Sequence, residues 1–314
     1  MFTVRNLRAL VCTCAVLIAG CGTSADRQGN AASTISYSLS HTIIDEQAKP
    51  TLALASALAL TSVTYDGTRS GLVAQTQKQW LRPLGSERWQ MADRFADKRS
   101  QLMPLFDQMG LVTAIKPRQQ QYDYALLLGA TVRSMRNRLA YLAQQWREGI
   151  RFGSLVFLVG ARLLDPTMEN DSMVLNLKGA EPYVRSGWQL KGPKPATEIQ
   201  AARLVYDQVA MPDAMRQVPV VYVDTPMQRH GLVLRRPNTA DTVVAWLATK
   251  PNPGSCLVVS NQPYVVYQDA ALRSALPSAF DIETIGAAAP ADCAVAIYLD
   301  TLARFLFIES KSSR

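Results

Sequence analysis

From Tyr122 onward, short unbroken apolar runs alternate with longer stretches whose apolar residues recur every three or four positions. The runs are Tyr124–Gly129, Leu155–Gly160, Val218–Val223 and Leu257–Ser260. Each has the length of a strand and is apolar at successive positions, as a strand buried on both faces must be. Between them, Arg136–Glu148 reads as an amphipathic helix with Leu139, Leu142, Ala143 and Trp146 on one face. Thr197–Val209 follows the same period with Thr197 as its cap, and Ala240–Ala248 and Tyr267–Leu276 complete the set. Ile282–Ile285 reads as short and extended, and Ala294–Leu299 as a last strand. Ala161–Pro195, with Gly179, Gly187, Gly192 and several prolines, reads as irregular. Strands separated by helices predict a parallel sheet covered on both faces. Right-handed crossovers then make it a doubly wound, Rossmann-like α/β domain.

The chain before Tyr122 has a different texture. Thr51–Val63 is rich in Ala and Leu, too short to span a bilayer, and predicts a core helix. Residues 70–110 carry helical spacing through Trp80, Leu84, Trp89, Phe95, Leu102, Leu105, Phe106 and Met109, with Gly110 as the stop. Residues 22–40 are Gly, Ser, Thr, Asn and Ala-rich and read as a tether. Ahead of them come Arg5, Arg8 and an apolar run from Ala9 to Gly20, the layout of a secretory signal. That run ends in Leu-Ile-Ala-Gly-Cys at 17–21 and is similar to the bacterial lipoprotein box, in which the Cys thiol receives a lipid and the signal is cut before it. The expected divisions are a lipoprotein signal peptide at 1–20, a flexible tether at 21–42, a helical N-terminal extension at 43–121 and the Rossmann-like domain at 122–314. By that resemblance Cys21 is lipidated and carries the chain on the membrane. With Gly22 rather than Asp next to it, the enterobacterial sorting pattern implies the periplasmic face of the outer membrane.

Composition narrows the classes. Hydrophobic residues make 48% of the chain and charged residues 18%, which suits a globular core. The formal charge is +8, and loss of Arg5 and Arg8 with the signal leaves +6. The basic residues are scattered rather than blocked, which argues for contact with anionic envelope surfaces and against nucleic acid. Of five cysteines, Cys12 and Cys14 lie in the signal and Cys21 is the lipid site. Cys256 and Cys293 remain as an even pair in an oxidising compartment. They are a disulfide candidate, with two separate buried thiols as the alternative. The two histidines, His41 and His230, and the absence of zinc-type spacing leave no metal site expected. His230 sits in a basic stretch with Arg229, Arg235 and Arg236 and reads as exposed.

In an open α/β sheet, ligands bind beyond the carboxyl ends of the strands. That rule selects Gly129, Ala130, Thr131 and Arg133 after the first strand and Gly160, Ala161, Arg162 and Asp165 after the second. It adds Asp224 and Thr225 after the third, and Ser260, Asn261 and Gln262 after the fourth. Arginines near one mouth favour an anion, because guanidinium grips phosphate or carboxylate bidentately. No G-x-G-x-x-G or Walker-type loop follows the first strand, so no nucleotide cofactor is expected.

The order of these features resembles the bacterial domain family of unknown function that includes YdcF, SanA and ElyC, over residues 122–285. The features are a strand ending Leu-Gly-Ala, Arg138 opening a helix that ends at Gly149, a strand ending at Gly160, and Glu198 entering the next helix. A strand ending in Asp224, Pro237-Asn238-Thr239 before a helix, and a Val-Val-Ser strand follow. The resemblance implies a Rossmann-like fold, a role in envelope biogenesis and pocket residues Gly129, Arg138, Gly160, Glu198, Asn238 and Thr239. Thr242 stands where the family has a second Asn, and Tyr264 and Tyr267 stand in place of its His and Arg. Glu198 is the candidate general base; the alternative is a first-turn acid favourable to its helix dipole. For Asn238 and Thr239 the alternative is helix capping. Two function classes follow: a lipid-anchored envelope protein with a strand-end pocket for a small phosphorylated or sugar-bearing anion, and a non-catalytic accessory factor that meets an envelope protein partner. Whether a reaction is catalysed is left open.

Overall fold

A computed structural model describes residues 39–83, 85–231 and 233–311. The signal segment, Cys12, Cys14, Cys21, nearly all of the tether and the side chain of His230 lie outside the described residues. Helix α1 (Leu52–Leu60) starts where Thr51 accepts a hydrogen bond from the Leu54 amide, and α2 (Arg69–Gln79) where Thr68 accepts from Gly71. Helix α3 is Arg99–Gln108. The α/β part then runs β1 (Gln121–Leu128), α4 (Val132–Arg147), β2 (Arg151–Gly160), α5 (Asp171–Val174), α6 (Glu198–Gln208) and α7 (Asp213–Arg216). It continues through β3 (Val220–Thr225), the hairpin β4 (Gln228–His230) and β5 (Val233–Arg235), α8 (Thr239–Leu247) and β6 (Ser255–Asn261). Last come α9 (Val265–Ala275), β7 (Asp281–Ala287) and α10 (Val295–Lys311).

Five strands form one parallel sheet in the order β3-β2-β1-β6-β7. This is the doubly wound Rossmann-like topology, and its direction of winding reverses between β1 and β6. Strand alternation sends Leu127, Phe157, Val159 and Val259 to one face, under α4 and α6. It sends Leu126, Leu128, Val156 and Val258 to the other, under Val243 and Trp246 of α8 and Leu272 of α9. A third core joins α1–α3 to α9 and α10 through Leu54, Leu72, Leu102, Phe106, Val266, Leu299 and Phe305, with Phe106 stacked on Tyr298 at 4.7 Å. Each such side chain, fully buried, contributes about 1.5–3 kcal/mol. The N-terminal helices and the sheet therefore belong to one unit, Ser38–Arg314.

The structure departs from the sequence pattern in three places. Residues 80–83 and 85–98 are not α-helical, and Leu84 lies outside the described residues: Pro83 donates no amide, Gly85 takes a left-handed φ of 82°, and only short 3-10 turns form at Arg88–Gln90 and Ala96–Lys98. Helix α4 begins at Val132, four residues ahead of the expected Arg136, because Thr131 is still extended. The expected last strand at Ala294–Leu299 is the start of α10. Its buried residues Val295, Tyr298, Leu299, Leu302, Phe305 and Leu306 recur with a helical period visible only over its 17 residues.

The disulfide does not form: Cys256 and Cys293 are both free thiols. Cys256 is buried in the core under α8 and α9, while Cys293 packs beside the N-terminal helical core. Burial pushes Cys256 up to about 12 and Cys293 up to about 11, which leaves little thiolate at neutral pH. Among the described residues, no helix is long and apolar enough to cross a membrane.

Candidate active-site crevice

The winding reverses between β1 and β6, and in open α/β sheets the space beyond the carboxyl ends of two such strands is the ligand crevice. Gly129–Thr131 lead from β1 into α4, and Gln262–Tyr264 lead from β6 into α9, so both helices present their N-termini there. Arg138, one and a half turns into α4, is 2% exposed. Its Nε donates to Asn261 Oδ1 at 2.8 Å, and its Nη1 donates to the carbonyls of Leu128 and Gly129 at 2.7 and 3.0 Å. One arginine thus stitches the ends of β1 and β6 together. Burial pulls it down to about 10, with Arg88 also opposing its charge and Tyr267, Tyr264 and Glu198 supporting it.

Arg162, just past β2, anchors the neighbouring wall. Its Nε lies 2.6 Å from Glu198 Oε2. Its Nη1 and Nη2 donate to Glu169 at 2.7 and 3.0 Å, and Nη2 also donates to the carbonyl of Ala130 at 2.9 Å. Glu169 accepts in addition from the amides of Val132 and Asp165. Glu198 is the first residue of α6 and is buried. Burial raises its pKa, against the pull of Arg162 and Arg236. The close approach depends on Gly129, since a Cβ there would lie 2.0 Å from Glu198 Oε1. Gly160 serves likewise at the end of β2, where a Cβ would meet Pro237 at 2.4 Å.

The third wall comes from residues that the strand-end rule does not reach. The non-helical stretch after α2 carries Arg88 to the start of α9. There its guanidinium carbon lies 4.4 Å above the Tyr264 ring and 5.5 Å from that of Tyr267. Nε pairs with Asp300 at 3.3 Å and Nη2 donates to the Tyr267 hydroxyl at 3.2 Å. Asp300, sealed inside α10, also takes Arg304 at 2.9 Å and the amide of Arg82. Arg236, before α8, pairs with Glu87 at 3.0 Å and ties that side to the same stretch. Burial works against ionisation of Tyr267, yet Arg88, Arg304 and Arg138 together hold it below the usual phenol range. Arg82, Arg88, Arg138, Arg162, Arg236 and Arg304 thus face Glu87, Glu169, Glu198 and Asp300, an excess of positive charge that is buried at Arg138 and Arg162 and partly open to solvent at Arg236 and Arg304. The only sequence signal for Arg88 is a polar residue in a stretch already broken by Pro83 and Gly85.

The other selected residues lie elsewhere or are structural. Arg133 is 65% exposed in its side chain and pairs with Glu181 at 2.7 Å. Asp224 is exposed on the edge strand β3, and Thr225, buried beside it, has a hydroxyl with no hydrogen-bond partner. Asn238 caps α8: its Oδ1 accepts from Asp241 at 3.0 Å while its own amide donates to Asp241 at 2.7 Å. Thr239 follows it as the first residue of that helix. Ser260 is buried against Gln268. Gly129, Ala130, Arg138, Arg162, Glu198 and Asn261 are the residues brought together. An open groove of about 580 Å³ lined by Arg147, Arg185, Met211 and Arg216 lies at the amino ends of β2 and β3. Its arginines are occupied by Asp207 and by backbone carbonyls. No cluster of metal-ligating side chains occurs among the described residues.

No family model matches the chain. It is similar to uncharacterised proteins of Mycobacterium bovis and Mycobacterium tuberculosis, 26% identical over 226 residues, covering 64% of this chain and 60% of theirs. The chain thus spans about 60% of the length of the curated relatives it matches. No solved structure matches.

Proposed function

We propose that the protein is a lipid-anchored component of the bacterial cell envelope whose crevice between β1 and β6 binds a small anionic ligand, phosphorylated or sugar-bearing, in envelope biogenesis. The observation that carries the pocket is the excess of arginine around two helix N-termini, with Arg138 buried at their meeting point. Low-dielectric surroundings strengthen its attraction for an anion. The resemblance to the YdcF, SanA and ElyC family supports the envelope role. The network of Arg162, Glu198 and Glu169 favours binding over catalysis, because Glu198 Oε2 is taken by Arg162, which keeps the carboxylate paired. A non-catalytic accessory factor is the second reading on that ground.

Thermal-shift measurements with glucose 1-phosphate, inorganic phosphate and the neutral sugar test the pocket. The phosphorylated compounds are expected to raise the unfolding midpoint and the neutral sugar is not. Equal shifts, or none, sink the anion site. The anchor is tested separately by metabolic palmitate labelling. Label is expected on the wild type and absent from Cys21→Ser, which should leave the membrane fraction or accumulate uncleaved. An unlabelled wild type removes the lipid anchor from the proposal.

A further inference from the structure

We propose that Arg88 and Arg138 form a two-arginine clamp for the terminal phosphoryl group of a phosphomonoester, held over the N-terminus of α9. The inference rests on the reading of the crevice as an anion site and names the chemistry it selects.

Each guanidinium has committed two of its nitrogens and kept one edge. Arg138 donates through Nε and Nη1, which fixes its plane against the ends of β1 and β6, and among the described residues Nη2 has no hydrogen-bond partner. Arg88 donates through Nε to Asp300 and through Nη2 to Tyr267, and among the described residues Nη1 has no partner. Both guanidiniums lie on the turn from β6 to α9: Arg138 donates to Asn261 at 2.8 Å and Arg88 sits 4.4 Å over the ring of Tyr264, three residues on, so their like charges oppose one another. Placing two guanidiniums together in a partly dry crevice is unfavourable unless an anion comes between them. The helix beneath adds to this. Helix α9 follows β6 after the short turn Gln262–Tyr264 and has no side-chain cap, which leaves its first-turn amides for the same space.

Donors approach from three directions: the flank of α4, the stretch after α2, and the backbone of α9. That arrangement suits a tetrahedral group with three free oxygens and close to two negative charges. A carboxylate offers two coplanar oxygens and one charge, and a phosphodiester has only two unesterified oxygens. The Tyr264 and Tyr267 rings, edge to face at 6.4 Å, wall the side on which the ester group would leave the clamp. Arg88 belongs to the N-terminal helical layer, so that layer completes a site whose other parts come from the sheet.

The test is isothermal titration of the full chain with inorganic phosphate, phenyl phosphate, dimethyl phosphate and acetate. The wild type is expected to bind the first two more tightly than the last two. Arg88→Gln is expected to weaken phenyl phosphate about tenfold or more, with an unchanged circular dichroism spectrum. Arg138→Lys, which keeps the charge and loses the fork, provides a second variant and a similar loss. Bound phosphate should also offset the arginine field on Tyr267, so tyrosinate absorbance in a pH titration should move to higher pH, and Tyr267→Phe should remove that component. Binding by Arg88→Gln at wild-type strength overturns the clamp while the anion crevice stands. Dimethyl phosphate binding as well as phenyl phosphate overturns the monoester assignment. A wild type that binds neither phosphate overturns both this inference and the anion site beneath it.

Discussion

Arg162→Ala is expected to destabilise the protein by about 3–5 kcal/mol at neutral pH, the range for stranding a buried charge. The substitution strands two carboxylates. Glu169 is fully buried in its side chain and Glu198 nearly so, and each takes its main countercharge from Arg162 at 2.6 to 3.0 Å. Glu198 already lies above its ordinary value of 4.5 because burial outweighs its pairing. A carboxyl raised in the folded state favours the fold below its unfolded value and loses that contribution as pH rises through its folded value. Removing Arg162 removes the main force that holds Glu198 down, so the variant's folded value climbs further. The deficit against wild type should therefore be largest at pH 7 and shrink as pH falls toward 5. Urea unfolding of both proteins at the two pH values measures it. Arg162→Lys should fall between them, since one ammonium cannot reach both carboxylates through a planar fork. A deficit that is small at pH 7, or the same at both pH values, removes Arg162 as the group that neutralises this wall.

The strands are legible because burial on both faces leaves a short uninterrupted apolar run, here bounded by glycine or polar residues. Gly129 and Gly160 are legible as ends of such runs, and Arg162 and Asn261 as the residues just beyond; Glu198 and Arg138 stand out only through the resemblance in the order of features, since no strand end points to them. The start of α4 and the nature of α10 are not legible, because both turn on which of two periods a short window follows. Six residues from Ala294 fit a strand, and only the recurrence through Leu306 shows a helix. Asn238 is ambiguous in sequence for a related reason. An Asn before a helix reads the same whether its side chain meets a ligand or caps the helix, and here its side chain meets Asp241, as the capping alternative expects.

The part of the crevice hidden from sequence is the part made by distant contacts. Arg88 meets residues that follow it by 179 and 212 positions, Tyr267 and Asp300. No local pattern encodes such a meeting. It follows from the third core, in which α1–α3 bury Leu54, Leu102 and Phe106 against α9 and α10 and so fix where the following stretch can run. Packing of an apolar layer thus positions a charged group at the sheet edge, which is why the layer and the site cannot be read apart.

Gly129→Ala is the second change expected to act strongly, by about 1–3 kcal/mol and toward the upper end, as overpacking of a closed site. The added Cβ would lie 2.0 Å from Glu198 Oε1, 3.0 Å from the Leu158 carbonyl oxygen and 3.2 Å from the Val159 Cα. None of these neighbours yields easily. Glu198 is fixed by Arg162 on its side chain and by its own amide, which donates to the Arg162 carbonyl at 2.9 Å. The backbone of Gly129 is fixed in turn, donating to Leu158 at 2.8 Å and accepting from Arg138 at 3.0 Å. Relief must therefore come from displacing Glu198 from Arg162 or from spreading β1 from β2. A double-mutant cycle separates the two. If the clash with Glu198 dominates, Gly129→Ala should be milder in a Glu198→Ala background, with a coupling larger than the roughly 0.5 kcal/mol typical of independent sites. Part of the loss should persist there, since the contacts with Leu158 and Val159 remain. Strict additivity, or an alanine variant as stable as wild type, would show that Glu198 does not rest on the end of β1, and the wall built from Gly129, Glu198 and Arg162 would have to be redrawn.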